Sequence, residues 1–142
     1  MSNATVTLFG NVAREPSLRT AKSGVIWTSI RIGSTHRYRD RAGEWREETT
    51  WFTVSVFGER AQNLVDSIRQ GTPVVVTGRL AVREYERERE LPAPNGQPMT
   101  VKWPGFDYVV ENATVAIDLT RGTARYAPRL RAAATPQHEA TT

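Results

Sequence analysis

TTWFTVSVFGERAQNLVDSIRQGTPVVVTGRL, residues 49–80, changes its apolar rhythm twice. Residues 49–57 alternate, with Phe52, Val54 and Val56 on one face and Trp51, Thr53, Ser55 and Phe57 on the other, the period of a half-buried strand. From 59 to 70 the apolar residues Ala61, Leu64, Val65 and Ile68 fall on one helical stripe. Glu59 suits the positive end of the helix dipole, and Gly71 offers a C-terminal stop. Residues 73–80, PVVVTGRL, then form an unbroken β-branched run of the kind buried in a barrel. Strand, short helix, strand is thus the centre of the chain.

Working outward, residues 5–12, TVTLFGNV, read as a first strand that stops at a polar stretch with Glu15 and Pro16. Ser23-Gly24 marks a turn. Residues 25–34 form a second strand, with Ile26, Thr28, Ile30 and Ile32 on one face and Trp27, Ser29, Arg31 and Gly33 on the other. The charged stretch 35–48, THRYRDRAGEWREE, reads as a solvent-exposed hairpin tip around Ala42-Gly43. Beyond the centre, residues 81–89 continue as a polar strand toward a turn at 92–98, and a further strand is expected within 101–119, interrupted near Pro104-Gly105. After Thr120 the composition becomes small, polar and arginine-bearing, as expected of a disordered tail. The expected organisation is one domain over 1–120 and a tail over 121–142. The order fits an all-β OB-fold, a five-stranded Greek-key barrel with one short helix between strands 3 and 4, and an SH3-like barrel is its main rival.

Composition narrows the function. The formal charge of +4 and pI near 10.0 favour an anionic partner. Lys22 and Lys102 are the only lysines. The arginine bias has two readings: a genome rich in G and C, or a demand for guanidinium groups on phosphates and bases. There is no cysteine, and His36 and His138 lie far apart, so neither a disulfide framework nor a metal site is expected. No segment has the length of a membrane span, and the N-terminus lacks signal-peptide character. A cytoplasmic, nucleoid-associated protein without membrane contact is expected.

Binding unpaired nucleic acid requires cations that follow phosphates and aromatic faces on which bases stack. The sequence interleaves them. His36, Arg37, Tyr38, Arg39 and Arg41 occupy the first hairpin; Arg83, Tyr85, Arg87 and Arg89 share one face of a strand, with Glu84, Glu86, Glu88 and Glu90 on the other. A solvated ribbon of paired charges is the competing reading. Trp51 and Phe57 point away from the core face of their strand, which marks a binding surface, unless they serve a core or a subunit contact. Trp27 is expected to pack or to support this face, and Trp45 to sit on a mobile tip. Asp40, Glu44, Glu47 and Glu48 alternate with arginines and read as a charged hairpin, not as a metal site. No phosphate loop, dinucleotide turn, nucleophile elbow or zinc-binding helix is present. Neither catalysis nor a cofactor is expected.

These residues carry a resemblance. VTLFGNVAREPSLR (6–19), VIWTSIRIGSTHRYRD (25–40), the stretch 49–80 and REY (83–85) together resemble the bacterial single-stranded DNA-binding proteins. The resemblance implies a homotetramer of OB-folds around which single-stranded DNA wraps. It implies that Tyr38, Trp51, Phe57 and Tyr85 stack on bases. It also implies phosphate contacts at Arg41 and Arg83, and extends them to Arg19 and Arg69, beside the Arg37, Arg39 and Arg87 that the pattern of residues itself proposes.

The departures from that family are informative. Glu59 stands where a basic residue is frequent, Phe52-Thr53 where a basic residue or histidine follows the tryptophan, and 91–106 is longer than the usual hairpin, which leaves Trp103 unplaced. The ending TPQHEATT lacks an acidic-hydrophobic tip, so recruitment of repair proteins through an acidic tail is not expected, and a secondary paralogue is. The leading expectation is sequence-independent coating and protection of single-stranded DNA in replication, recombination, repair or DNA uptake. The alternative is an OB-fold oligomerisation or accessory module that modulates another single-strand binder.

Overall fold

The computed structural model describes residues 3–130. Six strands and one helix follow in the order β1 (Thr5–Val12), β2 (Arg19–Thr20), β3 (Ile26–Arg39), β4 (Trp45–Phe57), α1 (Glu59–Ser67), β5 (Pro73–Pro92) and β6 (Pro98–Ile117). The sheet runs β1-β5-β6-β4-β3-β2, and an added β1–β3 pairing closes it. All pairings are antiparallel except β4–β6, where Phe52, Thr53 and Val54 run parallel to Tyr108, Val109 and Val110. With the two-residue β2 set aside as a flap on β3, this is the five-stranded OB-fold barrel, its helix between the third and fourth barrel strands.

Alternation builds the core. Leu8, Val12, Ile30, Ile32, Val54, Val56, Val74, Val76 and Val110 point into the barrel, and Ala61, Leu64 and Ile68 close one end from the helix side. Each such leucine, isoleucine or valine contributes about 1.5–3 kcal/mol by burial. Thr28 is the one buried polar residue among those described, and its Oγ1 donates to the Ser17 carbonyl at 2.8 Å, which satisfies the hydroxyl.

The strands are longer than the sequence suggests. The first hairpin is paired through Arg39↔Trp45, so the turn is confined to 40–44 and not spread over 35–48; Trp45 lies in the ladder instead of on the tip. β6 runs unbroken through Pro104 and Gly105, against the expected interruption. Outside the barrel β5 and β6 form a two-stranded ribbon, and a ribbon has a free edge toward which a proline's missing N–H can face without loss. The helix ends at Ser67, short of Gln70, because Ile68 is already extended at φ −113° while its N–H still bonds Leu64 O at 2.9 Å. Gly71, at φ +89°, therefore shapes the turn into β5 and is not the helix stop. Residues 121–130 form neither helix nor strand, and Arg129 bonds Asn63 and Asp66 on α1. The rest of the expected tail, with His138, lies outside the described residues.

Candidate nucleic-acid interface

The register of β3 on β4 fixes what shares a face. Trp27↔Phe57, Gly33↔Trp51 and Arg39↔Trp45 place Trp27, Arg31, Gly33, Arg37 and Arg39 on the outer face with Trp45, Trp51 and Phe57. The floor between the large rings is Thr35, Thr49, Thr53, Ser29 and Ser55, small side chains that leave the rings standing proud. Trp51 is 45% exposed and Phe57 58%, as expected of side chains facing away from the barrel core.

Two rings are seated on glycines. A Cβ on Gly33 would lie 3.0 Å from Trp51 Cζ3, so the indole rests directly on the β3 backbone. A Cβ on Gly105 would lie 2.7 Å from Tyr85 Cζ, so the phenol rests in the same way on β6. An aromatic ring against a cross-strand glycine keeps one face packed and one free.

Arginines frame these rings. Arg31 lies 5.7 Å from the Trp51 ring centroid, donates to Thr53 Oγ1 at 3.0 Å and pairs with Asp107 on β6 at 3.3 Å. It thereby ties the Trp51 face to the β5–β6 hairpin. Arg19 lies 5.5 Å from the Trp27 ring, which stacks on Phe57 with centroids 6.3 Å apart. Arg87 lies 5.7 Å from the Tyr85 ring. Cation–π contacts of this kind are worth about 0.5–1 kcal/mol at exposed sites. Between the two hairpins runs a groove of about 300 Å³ whose lining includes Arg31, Thr49, Trp51, Tyr85, Arg87 and Asp107. Trp51 and Tyr85, distant in sequence, thus meet in one place.

Arg83 stands opposite Asp107 on the Tyr85 face, as the alternation of β5 anticipates, with Glu84, Glu86, Glu88 and Glu90 turned away. Trp103, unplaced from sequence, stands opposite Arg87 on that same face. The segment 91–106 keeps regular register through Leu91↔Met99 and Pro92↔Pro98, with its turn at 93–97.

Other predicted site residues lie elsewhere. Tyr38 is opposite Arg46, on the reverse face of the first hairpin from Trp51 and Phe57. It stacks on His36 with centroids 5.6 Å apart and donates to Glu48 Oε1 at 3.3 Å; the negative charge of Glu48, then burial, raises its pKa above the ordinary phenol value. Arg37 is paired with Glu47 at 3.3 Å. Arg69 sits on the connection from α1 to β5, paired with Glu15 at 3.3 Å, and is not on the outer face of β3 and β4. Arg41 lies in the tip, next to Asp40, whose Oδ1 accepts from the Ala42 and Glu44 amides at 2.9 Å each and whose Oδ2 accepts from Arg46 at 2.9 Å. Those bonds hold the Asp40 carboxyl below its ordinary pKa, Arg46 contributing most.

Arg31 and Trp103 are the members of this candidate surface that sequence reasoning left out, and Trp27, expected there to pack or to support the face, stands on it against Phe57. Arg31 shares strand parity with Trp27 and Gly33, the one signal available; its link to Asp107 depends on the β4–β6 pairing, which no local pattern encodes.

The family model described as the single-strand binding protein family matches residues 3–92. A single-stranded DNA-binding protein of Paenarthrobacter aurescens is 42% identical over 84 residues, 58% of this chain and 49% of that protein. Single-stranded DNA-binding protein 2 of Streptomyces coelicolor is 35% identical over 125 residues, 84% of this chain and 60% of that one. The chain spans about half the length of the first of these relatives. Among solved structures, the small single-stranded DNA-binding protein from Streptomyces coelicolor superposes with TM-score 0.61 at 32% identity, over 86% of this chain and all of that one. A Plasmodium falciparum SSB in complex with ssDNA shares the fold, with TM-score 0.58 at 21% identity over 82% of this chain and 96% of that one. On the match over residues 3–92 and the shared barrel, the chain belongs to the single-strand binding protein family.

Proposed function

We propose that this protein binds single-stranded DNA without sequence specificity, by stacking bases on Trp51, Phe57 and Tyr85 while arginines contact phosphates. The observation that carries the reading is the outer face of β3 and β4, where Trp51 and the Trp27–Phe57 stack stand exposed beside Arg31 and Arg19 and lead through the groove to Tyr85. An aromatic face accepts any base, and a duplex offers none, since its bases are already stacked. The strand-2 and strand-3 face of an OB-fold, with the neighbouring loops, is also where this architecture takes oligonucleotides.

Arg39, Arg41, Arg83 and Arg87 form no ion pair among the described residues and are the proposed phosphate contacts, with Arg19 at the Trp27 end; Arg37 and Arg69 contribute less while bound to Glu47 and Glu15. Tyr38 takes part from the reverse face only if the strand wraps around the hairpin. The role is binding, not catalysis, and it serves to coat and protect DNA in the cytoplasm during replication, recombination, repair or uptake.

Association into a homotetramer belongs to the same proposal. β1 pairs with β3 only at Asn11 and Val12, which leaves the opposite edge of residues 5–10 without a strand partner among those described, and Phe9 on β1 is 62% exposed. Such an edge favours pairing with a second copy.

Titration with oligo-dT, following tryptophan fluorescence at low and high salt beside a duplex control, tests the function. Strong quenching by the single strand that persists in part at high salt is expected. Equal, salt-abolished binding of duplex and single strand would overturn stacking and favour an accessory module.

A further inference from the structure

Trp45 lies on the outer face but outside the stacking set proposed so far, yet at 59% it is the most exposed of the four tryptophans. It opens β4 on the same face as Trp51 and Phe57, and the three rings recur at every sixth residue of one strand. At about 3.3 Å per residue they stand roughly 20 Å apart. Each has guanidinium company: Arg39 and Arg37 lie 5.0 and 5.2 Å from the Trp45 ring, Arg31 lies beside Trp51, and Arg19 lies against the Trp27 that stacks on Phe57.

The charges near Trp45 are sorted. Glu47, which lies between Trp45 and Trp51 and would repel phosphate, is held by Arg37 at 3.3 Å. Arg39 forms no ion pair among the described residues and is left available. The turn beyond is tied down by the bonds of Asp40 to Ala42, Glu44 and Arg46, so the last rung of the ladder, Arg39 opposite Trp45, is closed by a bonded turn.

We propose that Trp45 is a further base-stacking position, with Arg39 as its phosphate contact, which extends the single-strand path from the barrel face along the hairpin toward its tip. The proposal rests on the reading of the chain as a single-strand binder. A bound strand then crosses three aromatic platforms, Phe57, Trp51 and Trp45. Since stacked nucleotides advance about 3.4 Å each, one interval takes up to about six nucleotides, fewer where the strand is stretched.

The test uses the whole chain and oligo-dT of about 6 and about 18 nucleotides, lengths that respectively cannot and can join Trp45 to Phe57. Trp51→Ala is expected to weaken both, whereas Trp45→Ala weakens chiefly the longer one, by about five- to a hundredfold, and shortens the occluded site. If folded Trp45→Ala keeps wild-type affinity and site size while Trp51→Ala loses affinity, the extension is overturned and single-strand binding stands. If the wild-type protein does not prefer the single strand, the reading beneath it fails instead. As a second measurement, Trp27→Phe, Trp51→Phe and Trp103→Phe together leave Trp45 as the sole tryptophan. Quenching of its emission at saturating oligo-dT is expected, and unchanged emission there would overturn the proposal.

Discussion

The two hairpins that stand on the barrel handle charge in opposite ways. On the outer face of β3–β4, acid and base are neighbours: Glu47 pairs with Arg37, and Asp107 reaches across from β6 to Arg31. Along β5 they are separated by the strand itself, with Arg83, Arg87 and Arg89 on the Tyr85 face and Glu84, Glu86, Glu88 and Glu90 behind. The first hairpin thus presents large rings among partly paired charges, with Arg39 in no ion pair among the described residues, and the second presents Arg83, Arg87 and Arg89 on a face shared with Asp107. Stacking is insensitive to salt, whereas phosphate binding releases counterions and is steeply salt-dependent. On the proposed function, the rings of β3–β4 carry most of the salt-resistant affinity and the arginines of β5–β6 much of the salt-sensitive part.

The sharpest way to break that assignment is to remove the rings of the first hairpin. Trp51→Ala with Phe57→Ala should cost about 2–6 kcal/mol in affinity for oligo-dT at unchanged fold, with little change in salt dependence. Anisotropy of a labelled oligonucleotide across a salt series, with circular dichroism as the fold control, measures both. A double variant that binds like wild type would refute the stacking roles.

The complementary experiment strips the second hairpin. Arg83→Gln with Arg87→Gln should flatten the plot of log affinity against log salt by about 1.4, at roughly 0.7 for each phosphate no longer neutralised. Affinity should fall several-fold at low salt, and the difference should fade as salt rises. A parallel drop at all salt concentrations would mean that these side chains act by packing on Tyr85 and not by charge.

A subtler comparison uses the two glycine seats. The added methyl in Gly105→Ala meets the Tyr85 ring at 2.7 Å, that in Gly33→Ala meets the Trp51 ring at 3.0 Å. Displacing a ring from its rotamer costs about 0.5–1.5 kcal/mol, so Gly105→Ala should weaken binding more than Gly33→Ala. Isothermal titration of the two variants ranks them, and the reverse order would place Tyr85 outside the path.

The smallest effect concerns the first hairpin's tip. A carboxyl whose pKa falls on folding lends stability that is complete above its unfolded value and is lost as pH drops through the lower folded value. Asp40 should therefore keep the Ala42 and Glu44 amides bonded down to pH below the ordinary aspartate range. Amide shifts of those two residues followed through acid titration check it, and Asp40→Asn should abolish the transition while leaving the barrel folded.

The faces of residues 25–34 and 49–57, the helical stripe and the sorting of arginine from glutamate on 81–90 were all legible in the sequence. Each depends on the side-chain period of a single element, which neighbouring residues set by themselves. The lengths of the strands were not. Residues 35–39 and 45–48 look like a charged tip by composition, and only the ladder of backbone hydrogen bonds across the hairpin makes them strand. Pro104 reads as an interruption until the free edge of a two-stranded ribbon is seen to accommodate it.

What one sequence determined, then, is which residues could bind: aromatic and arginine side chains on alternating positions away from the core. Tertiary structure decided which of them lie together. The register of β3 on β4 parts Tyr38 from Trp51, and the length of that ladder makes Trp45 strand, so that the period of β4 sets it on the face of Trp51; the pairing of β6 with both β4 and β5 joins Arg31 to Asp107, sets Trp103 beside Arg87 and brings Tyr85 to the same groove as Trp51. Such relations rest on pairings between strands far apart in the chain, and a one-residue change of register would reverse every face. Local chemistry supplies the groups, and barrel closure supplies their geometry.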